Sequence, residues 1–367
     1  NYAITFASGA LTVSPVALTV TASNDTKVYD GLAYAGGNGV TYSGFVNSET
    51  SAVLTGTVSY GGTSQGAVNA GSYVLTPSGL SSGNYTISYV NGALSVTKAA
   101  LTVKANDDAK LTGNLDNSPN YAGVSYTGLV NGETGSALGG TLAITRSNAG
   151  TETVGTYAGV LVPSGLTSSN YSITYQNGSY SIIGVSQLLV QLDNLTTTYG
   201  TAPTYSVAAI SYYKSASGGT QVYLNGSFSA SGNNITVTDG SYVSTFTLAA
   251  VSPLYSTSGN LRVGVYSVDA TNKSIATGEP NFNSIFVTGA HTVIQKPLTL
   301  TGLTGINKTY DGTKAANISG VGLSGVLSTD AVALGYSSAV YDSKDAGKTR
   351  TILVADAALT GTDAANY

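Results

Sequence analysis

The sequence predicts an all-β chain: small β-sandwich modules in tandem, making an extended array. Three observations carry that expectation. Apolar and aromatic residues alternate with Thr and Ser at period two, most clearly in residues 84–106, where Tyr85, Ile87 and Tyr89 share one face. Gly (46) and Tyr (26) are abundant while charged residues make up only 9%, a mixture that suits strands joined by many tight corners. The same signals also recur along the chain, as they do in repeat architectures. Disorder would require low hydrophobicity and high net charge, but the hydrophobic fraction is 42% and the net charge −4.

The elements follow in order. Residues 1–16 carry Asn1-Tyr2-Ala3-Ile4-Thr5-Phe6 and Gly9-Ala10-Leu11-Thr12-Val13, read as a closing hairpin that belongs to a preceding or neighbouring module. Module 1 (17–98) starts at Leu18-Thr19-Val20 and passes the turn Lys27-Val28-Tyr29-Asp30-Gly31. In that turn the carboxylate caps free amides, Gly takes a positive φ, and the Tyr ring can lie over the end of the core. The module closes with Asn84-Tyr85, the alternating strand, an Asn91-Gly92 pair suited to a tight hairpin, and the strand residues Leu94 and Val96. Module 2 (99–184) repeats this plan. GVSYTGLVNGET (Gly123 to Thr134) matches GVTYSGFVNSET (Gly39 to Thr50), and Asn170-Tyr171 matches Asn84-Tyr85.

Module 3 (185–296) is larger and divergent. Leu188, Val190 and Leu192 alternate as a first strand, and Thr198-Tyr199-Gly200 stands in the turn position. Tyr212-Tyr213, Val222-Tyr223-Leu224, Ile235-Thr236-Val237 and Phe246-Thr247-Leu248 read as further strands. Asn281-Phe282, Ile285-Phe286-Val287 and Gly289 read as a worn closing hairpin. Module 4 (297–367) starts at Pro297-Leu298-Thr299-Leu300, repeats the turn as Tyr310-Asp311-Gly312, and lacks a final hairpin. The last residues, Asn366-Tyr367, correspond to the start of that hairpin, and residues 3–16 would complete it. Three readings follow: tandem repetition within a longer polypeptide, completion of module 4 by residues 1–16 of a neighbouring subunit, or a boundary unrelated to the modules.

The chemistry in the sequence is sparse. Without Cys there is no disulfide, thiolate metal site or Cys nucleophile, which together with the absence of Met and Trp favours an exported protein. An acidic balance gives nucleic acid no basic footprint, and no apolar run approaches the ~20 residues needed to span a bilayer as a helix. The single histidine, His291, reads as structural. No catalytic, cofactor-binding or metal residue is expected, and no cofactor. Calcium is the one ion worth testing, at Asp25 with Asp30 and at Asp107 with Asp108. Lys27 and Lys308 are conceivable donors for a covalent Lys–Asn bond.

The Tyr-Asp-Gly turns at Tyr29-Asp30-Gly31 and Tyr310-Asp311-Gly312, the Tyr199-Gly200 variant and the recurring Asn-Tyr pairs resemble the MBG and YDG repeats of filamentous-haemagglutinin-like bacterial adhesins. Module 2 departs from the pattern, with Leu111-Thr112-Gly113 at the turn. The resemblance implies Ig-like or MBG-like sandwiches in an extracellular protein of the bacterial surface or biofilm matrix, commonly exported by two-partner secretion. It implies no enzyme. The expected role is structural, in a stalk or fibre, with the chain itself as partner head-to-tail. The alternative is an adhesin module whose tyrosines and polar side chains bind extracellular polysaccharide.

Overall fold

The computed structural model describes residues 5, 8–213, 221–223, 228–277, 282–347, 349–355 and 357–367. Residues 1–4 and 6 of the opening segment, Leu224 and Asn281 lie outside them. The protein is all-β, and its chain divides into two compact units, Asn1–Ala99 and Ala100–Tyr367.

The first unit holds β1 (Val16–Ala22), β2 (Asp25–Val28), β3 (Val40–Ser43), β4 (Thr55–Gly61), β5 (Gly71–Ser81), β6 (Tyr85–Val90) and β7 (Gly92–Thr97). They form two sheets, ordered β3-β1-β6 and β2-β7-β5-β4. Leu18, Val20, Leu75, Leu94 and Val96 are buried by this alternation. Residues 8–15 carry no strand, and Leu11 and Val13 are 89% and 84% exposed.

The Asn91-Gly92 hairpin expected from the sequence does not form. β6 runs parallel to β1, pairing Val16↔Tyr85 through Thr21↔Val90, whereas β7 runs parallel to β2 and antiparallel to β5. The chain therefore changes sheet at Asn91. β1–β2 and β6–β7 are two bent strands that travel side by side through both sheets. Gly92 is not in the left-handed region; a Cβ there would sit 2.7 Å from the Ala22 carbonyl oxygen. Glycine serves a close approach of two backbones, which the sequence cannot distinguish from a turn. Asn24 fixes the crossing, its Oδ1 accepting from the Ala93 amide at 2.9 Å.

The second unit repeats the plan. Its first module has β8 (Ala99–Ala105), β9 (Asp108–Leu111), β10 (Val124–Thr127), β11 (Gly139–Arg146), β12 (Gly155–Thr167), β13 (Tyr171–Gln176) and β14 (Gly178–Ile183), in sheets β10-β8-β13 and β11-β12-β14-β9. Asn177-Gly178 is again a sheet crossing. Asp107 Oδ1 accepts from the Ser179 amide at 2.7 Å, and a Cβ on Gly178 would lie 2.4 Å from the Ala105 oxygen.

The next module has β15 (Gln187–Leu192), β16 (Leu195–Thr198), β17 (Val207–Tyr213), β18 (Gln221–Tyr223), β19 (Phe228–Ser231), β20 (Asn234–Asp239), β21 (Tyr242–Ala250), β22 (Gly264–Ser274), β23 (Ser284–Thr288) and β24 (Ala290–Ile294). Its sheets are β18-β17-β15-β23 and β16-β24-β22-β21-β20-β19, the second enlarged at its edge by β19 and β20. The worn closing segment is also a crossing, with β23 parallel to β15 and β24 parallel to β16. Asn194 Oδ1 accepts from the Ala290 amide at 3.0 Å, in the role of Asn24 and Asp107.

The last stretch has β25 (Thr299–Thr301), β26 (Thr304–Ile306), β27 (Asn317–Ser319), β28 (Gly322–Ser324), β29 (Ala333–Gly335), β30 (Ser338–Tyr341), β31 (Ile352–Ala355) and β32 (Ala358–Thr360). These make four two-stranded sheets: β25-β28, β26-β27, β29-β32 and β30-β31.

Candidate functional site: tyrosine locks and module junctions

The Asn-Tyr pairs singled out in the sequence sit in a recurring lock. Tyr85 is buried; its hydroxyl donates to Glu49 Oε2 at 2.5 Å and accepts from the Val46 amide at 3.2 Å. Those two partners are held by one tight turn, in which the Glu49 amide donates to the Val46 carbonyl at 3.0 Å. Asn47 and Ser48 between them take φ angles of 52° and 61°, the left-handed values that favour Asn. Module 2 repeats the arrangement. The Tyr171 hydroxyl donates to Glu133 and accepts from the Val130 amide at 3.1 Å, over a turn with Asn131 and Gly132 at positive φ. In the last module the Tyr367 hydroxyl donates to Asp330 Oδ2 at 2.5 Å and accepts from the Leu327 amide at 2.9 Å.

The repeated GFVNSET and GLVNGET segments thus encode the receiving half of each lock. The backbone of the preceding Asn is also engaged: the Asn84 carbonyl accepts from the Val16 amide, and the Asn366 carbonyl from the Lys296 amide, each at 3.0 Å. The Asn170 amide donates to Ser168 Oγ at 3.0 Å. In module 3, Phe282 has no hydroxyl to offer; it is buried edge-to-face against Tyr212, with ring centroids 5.3 Å apart.

The Tyr-Asp-Gly turns share a second geometry. The amides of Tyr29, Thr112 and Tyr199 donate to the last strand of their own module, at Thr97, Ile183 and Ile294, over 2.8, 2.9 and 2.9 Å. Thr112 therefore stands where the other modules have tyrosine, and Gly113 (φ 85°) matches Gly200 (φ 88°). Asp30 accepts from the Leu32 amide at 2.8 Å and pairs with Lys27, while Gly31 takes φ 75°. Asp311 accepts from Lys308 Nζ at 2.8 Å and from the Thr313 amide at 2.9 Å, with Gly312 at φ 77°. The Lys308 hydrogen bond, helped by Thr313, holds the Asp311 carboxyl at about 2. Tyr29 and Tyr199 are buried, but Tyr310 is 60% exposed, so the expectation of a ring over the core fails there. No last strand runs beside it among the described residues.

In the second unit these turns are where consecutive modules meet. Tyr213 donates to the Thr112 carbonyl at 2.5 Å and packs with Ala109, Leu111, Ile183 and Leu189. The next module thus brings a tyrosine to the one turn that lacks its own. One turn further on, the Tyr199 hydroxyl lies 2.5 Å from Ser256 Oγ and donates to Asp330 Oδ2, also at 2.5 Å. Its ring meets that of Tyr367 edge-to-face at 5.2 Å. Burial pushes the Asp330 carboxyl up, but hydrogen bonds from Tyr199, Tyr367 and Ser258 outweigh it and hold the group at about 2. Asp363, fully buried nearby, accepts from Thr257 Oγ1 at 2.6 Å and from the Ala331 amide at 3.1 Å, and lies 3.3 Å from Arg262 Nη2. The Asn366 side chain accepts from the Val263 amide at 3.1 Å.

The other candidate groups are engaged within their own modules. His291 is fully buried, 2.8 Å from Thr197 Oγ1 and 3.3 Å from the Tyr205 hydroxyl, and burial lowers its pKa. It occupies the core position that Leu94 and Tyr180 hold in modules 1 and 2. Asp25 accepts from the Tyr34 hydroxyl at 2.6 Å, Asp107 from Ser179, and Asp108 from its own Ala109 amide and from Asn117. No group of three or more His, Asp or Glu suited to a metal ion occurs among the described residues. The ammonium groups of Lys27 and Lys308 pair with Asp30 and Asp311. A charged cluster escaped the sequence reading. Arg146, its side chain fully buried, grips Asp116 through Nη1 at 2.7 and 3.0 Å, and Lys110 joins Asp116 to Glu152. Its members are scattered from residue 110 to 152, and no local spacing betrays them.

Residues 18–95 and 101–181 match the family model of the MBG domain (YGX type), and residues 294–367 match that of the YDG domain. The chain contains two MBG modules and a YDG module. No curated protein matches it. The Tyr29-Asp30-Gly31 and Thr112-Gly113 turns lie within the MBG matches, and Tyr310-Asp311-Gly312 lies within the YDG domain. MBG and YDG domains are typical of extracellular or surface proteins. No helix among the described residues is long and apolar enough to cross a membrane.

Proposed function

We propose that this chain is a structural segment of a secreted bacterial surface or biofilm-matrix adhesin, of the two-partner-secretion type. Its MBG and YDG modules make up the stalk or fibre, and copies continue head to tail by strand complementation. The observation that supports this is the use made of the buried polar groups. At both junctions of the second unit a tyrosine hydroxyl is bonded across modules: Tyr213 to the Thr112 carbonyl, and Tyr199 to the Asp330 carboxylate, which also holds Tyr367 of its own module. Hydrogen bonds to a charged acceptor are worth more than neutral ones, and the Tyr199–Asp330 bond joins neighbouring modules. On this reading the protein is not an enzyme and needs no cofactor.

The test is where the protein is found and whether it self-associates. Antibodies to the chain should label intact bacteria and material sheared from their surface. Light scattering of the purified chain should show mass rising with concentration. Labelling confined to the cell interior, or one unchanging mass at all concentrations, would count against the proposal.

A further inference from the structure

Module 3 places a histidine in its core and lacks the acid that modules 1 and 2 set beside the same position. His291 of β24 is fully buried and stands where those modules have Leu94 and Tyr180. Across the parallel strands that position pairs with Asp25 in module 1 and Asp108 in module 2, but with Leu195 in module 3.

The groups that face the imidazole are hydroxyls and rings. From β16, Thr197 Oγ1 lies 2.8 Å from Nε2; from the segment after β16, the Tyr205 hydroxyl lies 3.3 Å from Nδ1. From β22, Tyr266 is the antiparallel partner, its ring centroid 6.3 Å away. Beyond these, Tyr255 acts on Tyr205 and Tyr266, and Arg262 acts on Tyr266. No carboxylate among the described residues acts on the imidazole, whose titration is governed by burial. Hydroxyls accept a hydrogen bond from an imidazolium but supply no counter-charge, so a proton taken up here makes a buried, unpaired cation.

The strand that holds the histidine also holds a junction. Val293, two residues on, is buried with Tyr199, Tyr266 and Tyr367 in the apolar cluster that module 3 shares with the YDG module. The Tyr199 amide donates to the Ile294 carbonyl at 2.9 Å, and the Tyr199 hydroxyl donates to Asp330. We propose that module 3 is an acid-sensitive joint, in which protonation of His291 loosens β24 and with it the junction to the YDG module. Modules 1 and 2, which have no histidine, hold under the same conditions. The joint belongs to a single chain and works whether or not copies associate head to tail.

In the unfolded chain the imidazole takes up a proton near its ordinary value of 6.5, whereas burial in the folded chain holds it below that. Stability is therefore undiminished above pH 6.5 and falls as the pH drops further. Each pH unit costs up to about tenfold in the ratio of folded to unfolded chain, until the buried ring itself titrates. Asp108, raised by burial, acts with the opposite sign and favours the folded state as pH falls. The quantity to follow is thus the difference between wild type and His291→Gln, whose side chain keeps a donor and an acceptor but takes no proton.

The test uses the full chain. His291 is its single histidine, so isotopically labelled histidine gives one set of ring signals by NMR. Those signals should remain in the neutral form down to about pH 5, and Leu195→Asp, which restores the carboxylate of modules 1 and 2, should move their midpoint up. Between about pH 6.5 and 4.5, urea unfolding of the second unit should weaken by up to about a hundredfold more in wild type than in His291→Gln. Hydrogen exchange, corrected for the intrinsic rate, should show the Tyr199 and Leu327 amides losing protection together with β24. A ring that titrates at 6.5 or above in the folded wild type, or an equal pH dependence in wild type and His291→Gln, would overturn the proposal. Protection lost in β24 with Leu327 still protected would overturn the coupling to the junction.

Discussion

The Asp330 carboxylate is the point at which the junction between the third module and the YDG module can be broken with one atom. In Asp330→Asn the shape is kept and the charge is lost. The carboxylate accepts from Tyr199 and Tyr367 at 2.5 Å each through Oδ2, and from the Ser258 amide at 2.9 Å through Oδ1. Hydrogen bonds to a charged group contribute about 1.5–3 kcal/mol each, against about 1 kcal/mol for neutral pairs. An asparagine can present its oxygen to only one side. If it serves the two hydroxyls, its NH2 faces the Ser258 amide, donor to donor; if it serves Ser258, the hydroxyls must turn. The expected loss is about 2–4 kcal/mol. At roughly 2–4 °C per kcal/mol for a unit of this size, the transition of the second unit should fall by about 5–15 °C. Hydrogen exchange sharpens the reading, because the Leu327 and Ser258 amides bond into this lock and should lose protection before the core of modules 2 and 3 does. A variant whose melting temperature stays within a degree of wild type, with both amides still protected, would refute the argument.

Other outcomes follow from the same contacts. Gly178→Ala places a Cβ 2.4 Å from the Ala105 oxygen at the sheet crossing and should cost about 1–3 kcal/mol, measurable by urea unfolding of the full chain. Asp330 sits at about 2 in the folded protein, below the ordinary carboxylate value of 3.8. Its contribution is therefore present above pH ~4 and lost as pH falls from about 4 towards 2; urea titrations across that range should show the loss, and Asp330→Asn should remove it. Added calcium should leave the melting temperature unchanged, because Asp25, Asp107 and Asp108 already hold protein donors; a rise on adding calcium that EDTA reverses would contradict this. Tyr171→Phe should lower stability by about 1 kcal/mol or more by leaving Glu133 and the Val130 amide without that hydroxyl, whereas Phe282→Tyr should bring no such gain.

Strands, repeats and fold class were legible in the sequence because each depends on local period. Tyr85, Ile87 and Tyr89 alternate whatever strand lies beside them. Pairing was not legible for the same reason. Asn91-Gly92 carries the composition of a hairpin turn, but its glycine is demanded by the Ala22 carbonyl, a contact between residues far apart in the chain. The receiving half of the tyrosine lock was in plain view as the best-matched repeat, yet its purpose needs Tyr85 brought over Glu49. Asn24, Asp107 and Asn194 stand six residues after Leu18, Leu101 and Leu188, so aligning the modules would have exposed them. Tyr213 could not have been found that way. It compensates for Thr112 across a module boundary, and only the fold brings the two together.

The side-by-side course of the two bent strands also decides how a module answers a pull. In module 1 the chain enters through β1 and leaves through β7, and the strands linking entry to exit, β1 with β6 and β2 with β7, run in the same direction. Tension applied at the two ends slides these neighbours lengthwise past one another, so their backbone bonds share the load at once and do not open singly like a zipper. Ten backbone pairs, six along β1–β6 and four along β2–β7, would have to give way together before the module could lengthen.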